Sequence, residues 1–111
     1  MARTGRLVRF TFRTAEDRVA LCPPGKRWIV TSLFVCNTTA AAITFRLHHC
    51  VPPETAAVGN ALFYDARIAA NTTTSLLSNN DRLAIGPTDD LRGLASATGL
   101  TIIGYGYEED A

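Results

Sequence analysis

The sequence predicts an all-β fold, a single antiparallel β-sandwich of jelly-roll type with about eight short strands. Apolar and polar residues alternate in short runs, and Pro, Gly, Asn and Asp separate these runs. No stretch has the apolar period that a long helix needs. The 111 residues predict one domain, residues 1–111, with a basic N-terminal arm at 1–6 and an acidic C-terminal tail at 108–111.

The first predicted strand has one buried face, because Val8, Phe10 and Phe12 alternate with polar residues. A Pro-Pro-Gly turn at 23–25 then precedes a strand from Trp28 to Cys36 that is apolar on both sides. Such a strand is central in its sheet, or another subunit covers its outer face. Strict alternation places Trp28, Val30, Phe34 and Cys36 on one face and Ile29, Leu33 and Val35 on the other.

The polar residues 37–39 are predicted to turn this strand into a hairpin with the next one, at 41–50. Later strands are predicted at 62–68, 74–77, 83–85, 91–97 and 100–107, with a single helical turn as the alternative for 91–97. In the last of these, Gly104 and Gly106 share one face and leave room for another backbone or a large side chain. A packed bend and a subunit contact are both compatible with this spacing, and the two glycines are candidate partner contacts.

The charges are distributed unevenly along the chain. The net charge is +1, which argues against a nucleic-acid binder, yet the first 27 residues hold seven of the eleven cationic residues. We predict that Arg3, Arg6, Arg9 and Arg13 bind a partner surface or a neighbouring copy, the alternative being a solvated terminus. The chain shows no signal peptide and no membrane-spanning run, so we expect synthesis in the cytoplasm and no membrane partner.

Residue types that carry chemistry are few. Three cysteines whose spacings resemble neither a CxxC pair nor a disulfide framework predict reduced thiols, and His48-His49-Cys50 is the one cluster of metal-ligand types. Neighbouring side chains of a strand point to opposite faces, so His48 and His49 do not chelate one ion together. We predict no catalytic residues, no metal site and no cofactor. Trp28 has the chemistry of a sugar-stacking platform, although its place at the start of an apolar strand favours a core residue.

The order of the motifs resembles small β-sandwich proteins from the particles of tailed bacteriophages. The similarity covers roughly residues 20 to 107. The motifs that carry it are Pro-Pro-Gly-Lys-Arg-Trp-Ile-Val-Thr-Ser-Leu-Phe-Val-Cys-Asn-Thr-Thr at 23–39, Leu-Phe-Tyr-Asp at 62–65, Ile-Ala-Ala-Asn-Thr-Thr at 68–73, Gly-Pro-Thr-Asp at 86–89 and Ile-Gly-Tyr-Gly-Tyr at 103–107.

The resemblance implies a non-enzymatic virion structural protein that decorates or cements the capsid by binding the major capsid protein and neighbouring copies. It also implies a homo-oligomer, with a trimer favoured, located in the virion. A tail, neck or fibre-attachment component is the alternative within the particle. Outside the particle, the alternatives are a carbohydrate-binding module that exposes Trp28, Tyr64 or Tyr105, and a metal-dependent enzyme that uses His48.

Overall fold

The protein consists of β-strands and one short 3-10 helix, as described by a computed structural model for residues 3–77 and 81–111, without the side chain of Arg3. The strands of this part are β1 (Arg3–Thr11), β2 (Asp17–Leu21), β3 (Lys26–Asn37), β4 (Ile43–Cys50), β5 (Ala61–Ile68), β6 (Thr72–Ser75), β7 (Leu83–Ile85), β8 (Asp90–Ala95) and β9 (Leu100–Asp110), with the helix at Val58–Asn60. None of the described residues belongs to a helix of the length and apolarity that crossing a bilayer requires.

The strands form two antiparallel sheets in the order of a jelly roll. Sheet A has the order β1-β9-β3-β6, with β7 also paired to β3, and sheet B has the order β2-β8-β4-β5. One long antiparallel ribbon is formed by the pairs β1–β9, β2–β8, β3–β6 with β3–β7, and β4–β5. The ribbon is rolled so that β9 also pairs with β3 and β8 also pairs with β4. The predicted sandwich is confirmed, and the ninth strand is β2 (Asp17–Leu21), for which the sequence predicted no strand.

The core lies between the two sheets. Phe45 is at its centre, with its ring centroid 5.6 Å from that of Phe12 and 5.7 Å from that of Phe63. Val8 and Phe12 are buried as the alternation in the first strand predicts. The remaining largest fully buried side chains are Leu33, Ile43, Leu47, Ile85, Leu91, Leu100, Ile102, Val30 and Val35.

The two strands that flank β9, β1 and β3, each contain a β-bulge. These bulges determine which side chains point outward from sheet A. The register shifts between Arg6 and Val8 in β1 and between Val30 and Ser32 in β3. An extra residue moves every later side chain of its strand to the opposite face. Both bulges lie at the level of Tyr105 in β9.

The bulge in β3 corrects the predicted faces of this strand. Trp28 is buried as predicted, but beyond the bulge the buried residues are Leu33 and Val35. Phe34 and Cys36 therefore face away from the core, where strict alternation placed them beside Trp28. The prediction that β3 is central is confirmed, since it pairs with β9 on one side and with β6 and β7 on the other.

The segment after β3 crosses from sheet A to sheet B, so the predicted hairpin with β4 is wrong. Asn37, only 1% exposed, organises this crossover. Its Nδ2 group donates to the carbonyl oxygens of Ala41, Ile68 and Ala69 at 2.8, 3.2 and 3.2 Å. Its Oδ1 accepts from the backbone N–H and the hydroxyl of Thr39 at 2.9 and 2.8 Å. A single amide thus joins the ends of β3 and β5 to the start of β4.

The two ends of the described chain are strands. Residues 3–6 belong to β1, where Arg3 is opposite Glu108, and residues 108–110 belong to β9. The predicted basic arm at 1–6 is therefore corrected for residues 3–6, and residues 1 and 2 lie outside the described residues. The predicted acidic tail at 108–111 is likewise corrected, because all but Ala111 extend β9.

Side chains at the start of β3 donate hydrogen bonds to the acidic end of β9 within the same chain. Lys26 Nζ donates to Asp110 Oδ1 at 2.6 Å, and Trp28 Nε1 donates to Glu108 Oε1 at 2.9 Å. The guanidinium of Arg27 donates to the carboxylate of Glu109. Because the hydrogen bond from Lys26 stabilises the ionised carboxylate of Asp110, the pKa of Asp110 lies below its usual value.

The two glycines of β9 are packed by their own chain. A Cβ on Gly104 would lie 3.0 Å from Leu33 Cδ1 and 3.2 Å from Val8 Cβ. A Cβ on Gly106 would overlap the carbonyl oxygen of Ile29, which is part of the β3 backbone and cannot move independently. The close approach that the sequence predicted at these positions is therefore an intrachain contact between β9 and its neighbours.

Replacing Gly106→Ala should destabilise the protein by about 3 kcal/mol, because the added methyl group overlaps backbone in the middle of sheet A. Urea unfolding followed by circular dichroism measures this loss. Gly59→Ala is the control, since no atom lies within 4 Å of a Cβ there, and it should change stability by less than about 0.5 kcal/mol. Equal stability of the two variants would contradict the close approach.

The two Asn-Thr-Thr segments should respond differently to the same substitution. Asn37→Asp sets a carboxylate oxygen against three carbonyl oxygens and should cost about 3 kcal/mol at pH 7. Asn71→Asp is the matched control, because Asn71 is exposed and its left-handed backbone, with φ of 52°, also tolerates Asp. Thermal unfolding of both variants decides the point, and a similar loss in each would exclude the proposed role of Asn37.

Candidate functional site

The outer side of sheet A carries an apolar surface, which we call the sheet A face. Phe34, Cys36, Ile103 and Tyr105 surround a shallow depression of about 420 Å³, with Thr73 and Thr101 completing its wall. Phe34 is 37% exposed and Tyr105 is 43% exposed. The register explains the grouping, because Ile103 is opposite Phe34, and Thr101 is opposite Cys36, across the β3–β9 ladder. Contiguous exposed apolar side chains of this kind mark interaction surfaces.

Two arginines of β1 border the sheet A face. Arg6 is opposite Tyr105 and Arg9 is opposite Ile103, so both point outward beside the apolar side chains. In a regular strand residues three positions apart point to opposite faces, and only the bulge between Arg6 and Val8 brings both arginines to one face. Both side chains are exposed, and neither has a carboxylate partner in the part of the chain that the structure describes.

The carboxylates, in contrast, are all engaged within the chain. All ten acidic residues lie in the described ranges, and each has an ion pair, a hydrogen bond or another electrostatic contact there. They are Glu16, Asp17, Glu54, Asp65, Asp81, Asp89, Asp90, Glu108, Glu109 and Asp110. Unmatched positive charge at the sheet A face is therefore not offset by free negative charge elsewhere on the described surface.

The structure separates the residues that the sequence grouped as partner-binding. Arg6 and Arg9 lie together on the sheet A face, whereas Arg13 follows β1 and its Nε lies 3.5 Å from Asp17 Oδ2. The backbone of Arg3 pairs with β9, and its side chain is outside the described atoms. Gly104 packs against side chains of β1 and β3, and Gly106 packs against the backbone of β3. Phe34 and Cys36 were missed because no sequence signal marks the bulge in β3.

The outer side of sheet B is built differently, because two of its arginines are paired with carboxylates. Arg46 of β4 donates to Asp65 of β5 at 2.7 and 3.3 Å, and its guanidinium carbon lies 4.2 Å from the centre of the Tyr64 ring. Arg92 of β8 binds Glu16 at 2.8 Å. A cavity of about 210 Å³ is lined by Glu16, Arg46, His48, Tyr64, Leu94 and residues 56–58.

The aromatic residues proposed as sugar platforms have different surroundings. Trp28 is 5% exposed and donates its indole N–H to Glu108, so it is a core residue and not a platform. Tyr64 is 47% exposed, but Arg46 covers one face of its ring. Tyr105, on the sheet A face, is the exposed aromatic of this group that lacks such a cover among the described contacts.

The two histidines make hydrogen bonds to different partners. Nδ1 of His48 lies 2.9 Å from the carbonyl oxygen of Ala57 and 3.0 Å from Asn60 Oδ1. Nε2 of His49 lies 3.0 Å from Oδ2 of Asp89, which also accepts from the backbone N–H of Gly86. Within residues 3–77 and 81–111 no three His, Cys, Asp or Glu side chains come together in a way that could hold a metal ion.

The two buried cysteines lack the electrostatic environment of a nucleophile. All three thiols are free, and Cys22 and Cys50 are fully buried. Burial raises the pKa of both buried thiols, so each is less ionised at neutral pH than an ordinary cysteine. Cys36 is partly exposed and lies in the depression of the sheet A face.

The Arg46–Asp65 pair makes a testable prediction. The hydrogen bonds from Arg46 lower the pKa of Asp65, so the pair stabilises the fold above the ordinary Asp pKa of about 4 and this contribution is lost as pH falls through the lowered value. Arg46→Met should raise the pKa of Asp65 towards its ordinary value, as measured by NMR titration of the side-chain carboxyl. Arg67→Met, on the same sheet, should leave it unchanged. An unaltered Asp65 titration in Arg46→Met would contradict the pairing.

Apolar surface, unmatched positive charge and a partly exposed thiol thus coincide on one face of the sandwich, while on the other face Arg46 and Arg92 are paired with carboxylates. The bulges in β1 and β3 create this asymmetry, because they turn Arg6, Arg9, Phe34 and Cys36 to the same side. Comparison of the chain with known protein families, with curated proteins and with solved structures found no match.

Proposed function

We propose that this chain is a non-enzymatic structural protein of a tailed bacteriophage, which decorates or cements the capsid by binding the major capsid protein. The observation that carries the proposal is the sheet A face, an exposed apolar surface bordered by the unmatched Arg6 and Arg9. A surface of this composition serves attachment to another macromolecule better than it serves chemistry on a small substrate.

Two further features support a location in the particle. The motif order at 20–107 resembles small sandwich proteins of phage particles. The jelly-roll order of the strands is an architecture that recurs in virus capsids, although lectins and other proteins share it. Fold alone does not determine function, so the face and the resemblance together support the assignment.

Assembly in copies follows from the same proposal. On a symmetric shell many modest contacts add through avidity, so each copy needs only a small attachment surface. Neighbouring copies, in the trimer that the resemblance implies, would meet through surfaces other than the sheet A face when that face is on the shell. A tail, neck or fibre-attachment position would use the same face on a different partner.

The number of copies per purified particle tests the proposal. Quantitative mass spectrometry against the major shell protein should give a ratio of about one, or a simple fraction such as about one third, because a decorating protein follows the symmetry of the lattice. A few copies per hundred shell proteins would instead place the chain in the tail or neck. Absence from particles would contradict the proposal, and glycan binding lost in Tyr105→Ala would then support a carbohydrate-binding module.

A further inference from the structure

We infer that the sheet A face binds an apolar surface of the shell protein that carries carboxylates at its margin, and that it does not bind a second copy of this chain. The identity of the partner rests on the proposed function. The chemistry of the partner follows independently from the apolar side chains and charges of this face.

The centre of the face requires an apolar occupant. Phe34 and Tyr105 expose more than a third of their surface, and Ile103 and Cys36 form the floor between them. The depression of about 420 Å³ is large enough for one or two apolar side chains. Burial of aromatic side chains at the centre of an interface, surrounded by polar residues, is the usual arrangement of the residues that dominate binding energy.

The margin of the face requires negative charge. Arg6 and Arg9 are about 7 Å apart along the sheet at the usual rise per residue, because the bulge between them sets them opposite Tyr105 and Ile103, two positions apart on β9. They form a row of two cations beside the apolar centre. Bringing a neutral or cationic surface against them would remove water from two guanidinium groups without replacing their hydrogen bonds. Carboxylates on the partner would supply bidentate acceptors for both groups.

A second copy of the chain does not have this chemistry. Each of its ten carboxylates already has an interaction within its own chain. The partners are backbone groups, a further contact in the case of Asp81, and the side chains of Arg13, Arg18, Lys26, Arg27, Trp28, Arg46, His49 and Arg92. A second copy would bring its own Arg6 and Arg9 to the contact, which adds positive charge. To supply a carboxylate to these arginines, it would have to break one of its internal ion pairs or hydrogen bonds. Charge complementarity therefore favours a different protein as the occupant.

The direction of attachment follows from the same contrast. With the sheet A face on the shell, sheet B faces away from it. The outward sheet then presents Arg46 paired with Asp65 and Arg92 paired with Glu16, together with the exposed Arg67.

Cys36 allows the inference to be tested without altering the face. It is the partly exposed cysteine, whereas Cys22 and Cys50 are fully buried, so a maleimide should react rapidly with one thiol of the native protein. On purified particles the rate of Cys36 modification, measured by mass spectrometry of its peptide, should fall at least tenfold relative to the free protein. Cys36→Ser should abolish the rapid reaction of the free protein, which confirms its site.

Charge-reversal variants test the margin. Arg6→Glu and Arg9→Glu should each weaken rebinding to particles lacking this protein by at least tenfold in Kd, and the wild-type interaction should weaken as salt is raised. Arg67→Glu is the matched control, because Arg67 is exposed on β5 of the other sheet, and it should rebind like the wild type. Thermal unfolding of each variant separates lost binding from lost folding.

The outcomes distinguish the inference from the proposed function. Absence of the chain from particles would overturn both. Presence on particles with Cys36 as reactive as in the free protein, or with Arg6→Glu and Arg9→Glu rebinding normally, would overturn the inference and leave the structural role intact. Protection of Cys36 in concentrated free protein, together with a dimer in light scattering, would show that a second copy covers the face and would also overturn the inference.

Discussion

The antiparallel pairing of β3 with β9 is the constraint on which the rest of the molecule depends. It extends from Lys26 opposite Asp110 to Asn37 opposite Leu100, across the centre of sheet A. One side of this ladder supplies core residues such as Val30 and Ile102, and the other supplies the floor of the sheet A face. The same register brings the cations at the start of β3 to the acidic end of β9. Core, surface and chain end are therefore fixed by a single pairing.

Much of this fold could be predicted from the sequence, because its determinants are local. Alternation fixed the strand at Val8 to Phe12, and turn residues separated the later strands. The crossover at Asn37 could not be predicted, because a polar turn between two strands has the same local sequence whether the strands pair or separate into two sheets. What distinguishes them is Ile68 and Ala69, which accept hydrogen bonds from Asn37 and are remote in sequence.

The candidate site was predictable only in part, for a related reason. Composition showed that arginines concentrate near the start of the chain, and β3 was recognisably apolar on both sides. The bulges beside Tyr105 were not visible, since a single extra residue leaves the pattern of residue types unchanged while it reverses every side chain beyond it. Arg6, Arg9 and Phe34 therefore share a face for a reason that lies in strand pairing and not in spacing.

The position of β1 and β9 at opposite ends of the sequence has a consequence for when the sheet A face is complete. In the ribbon, β4 and β5 are separated by the ten residues 51–60, whereas Thr11 and Thr101 are 90 positions apart. Contacts of high sequence separation form late, after the loop between them has been closed by inner pairs. Because Arg9 and Ile103 lie on this outermost pair, the sheet A face is complete only when β1 and β9 have paired. If this face is the attachment surface proposed above, a chain in which β1 and β9 are unpaired would lack part of it.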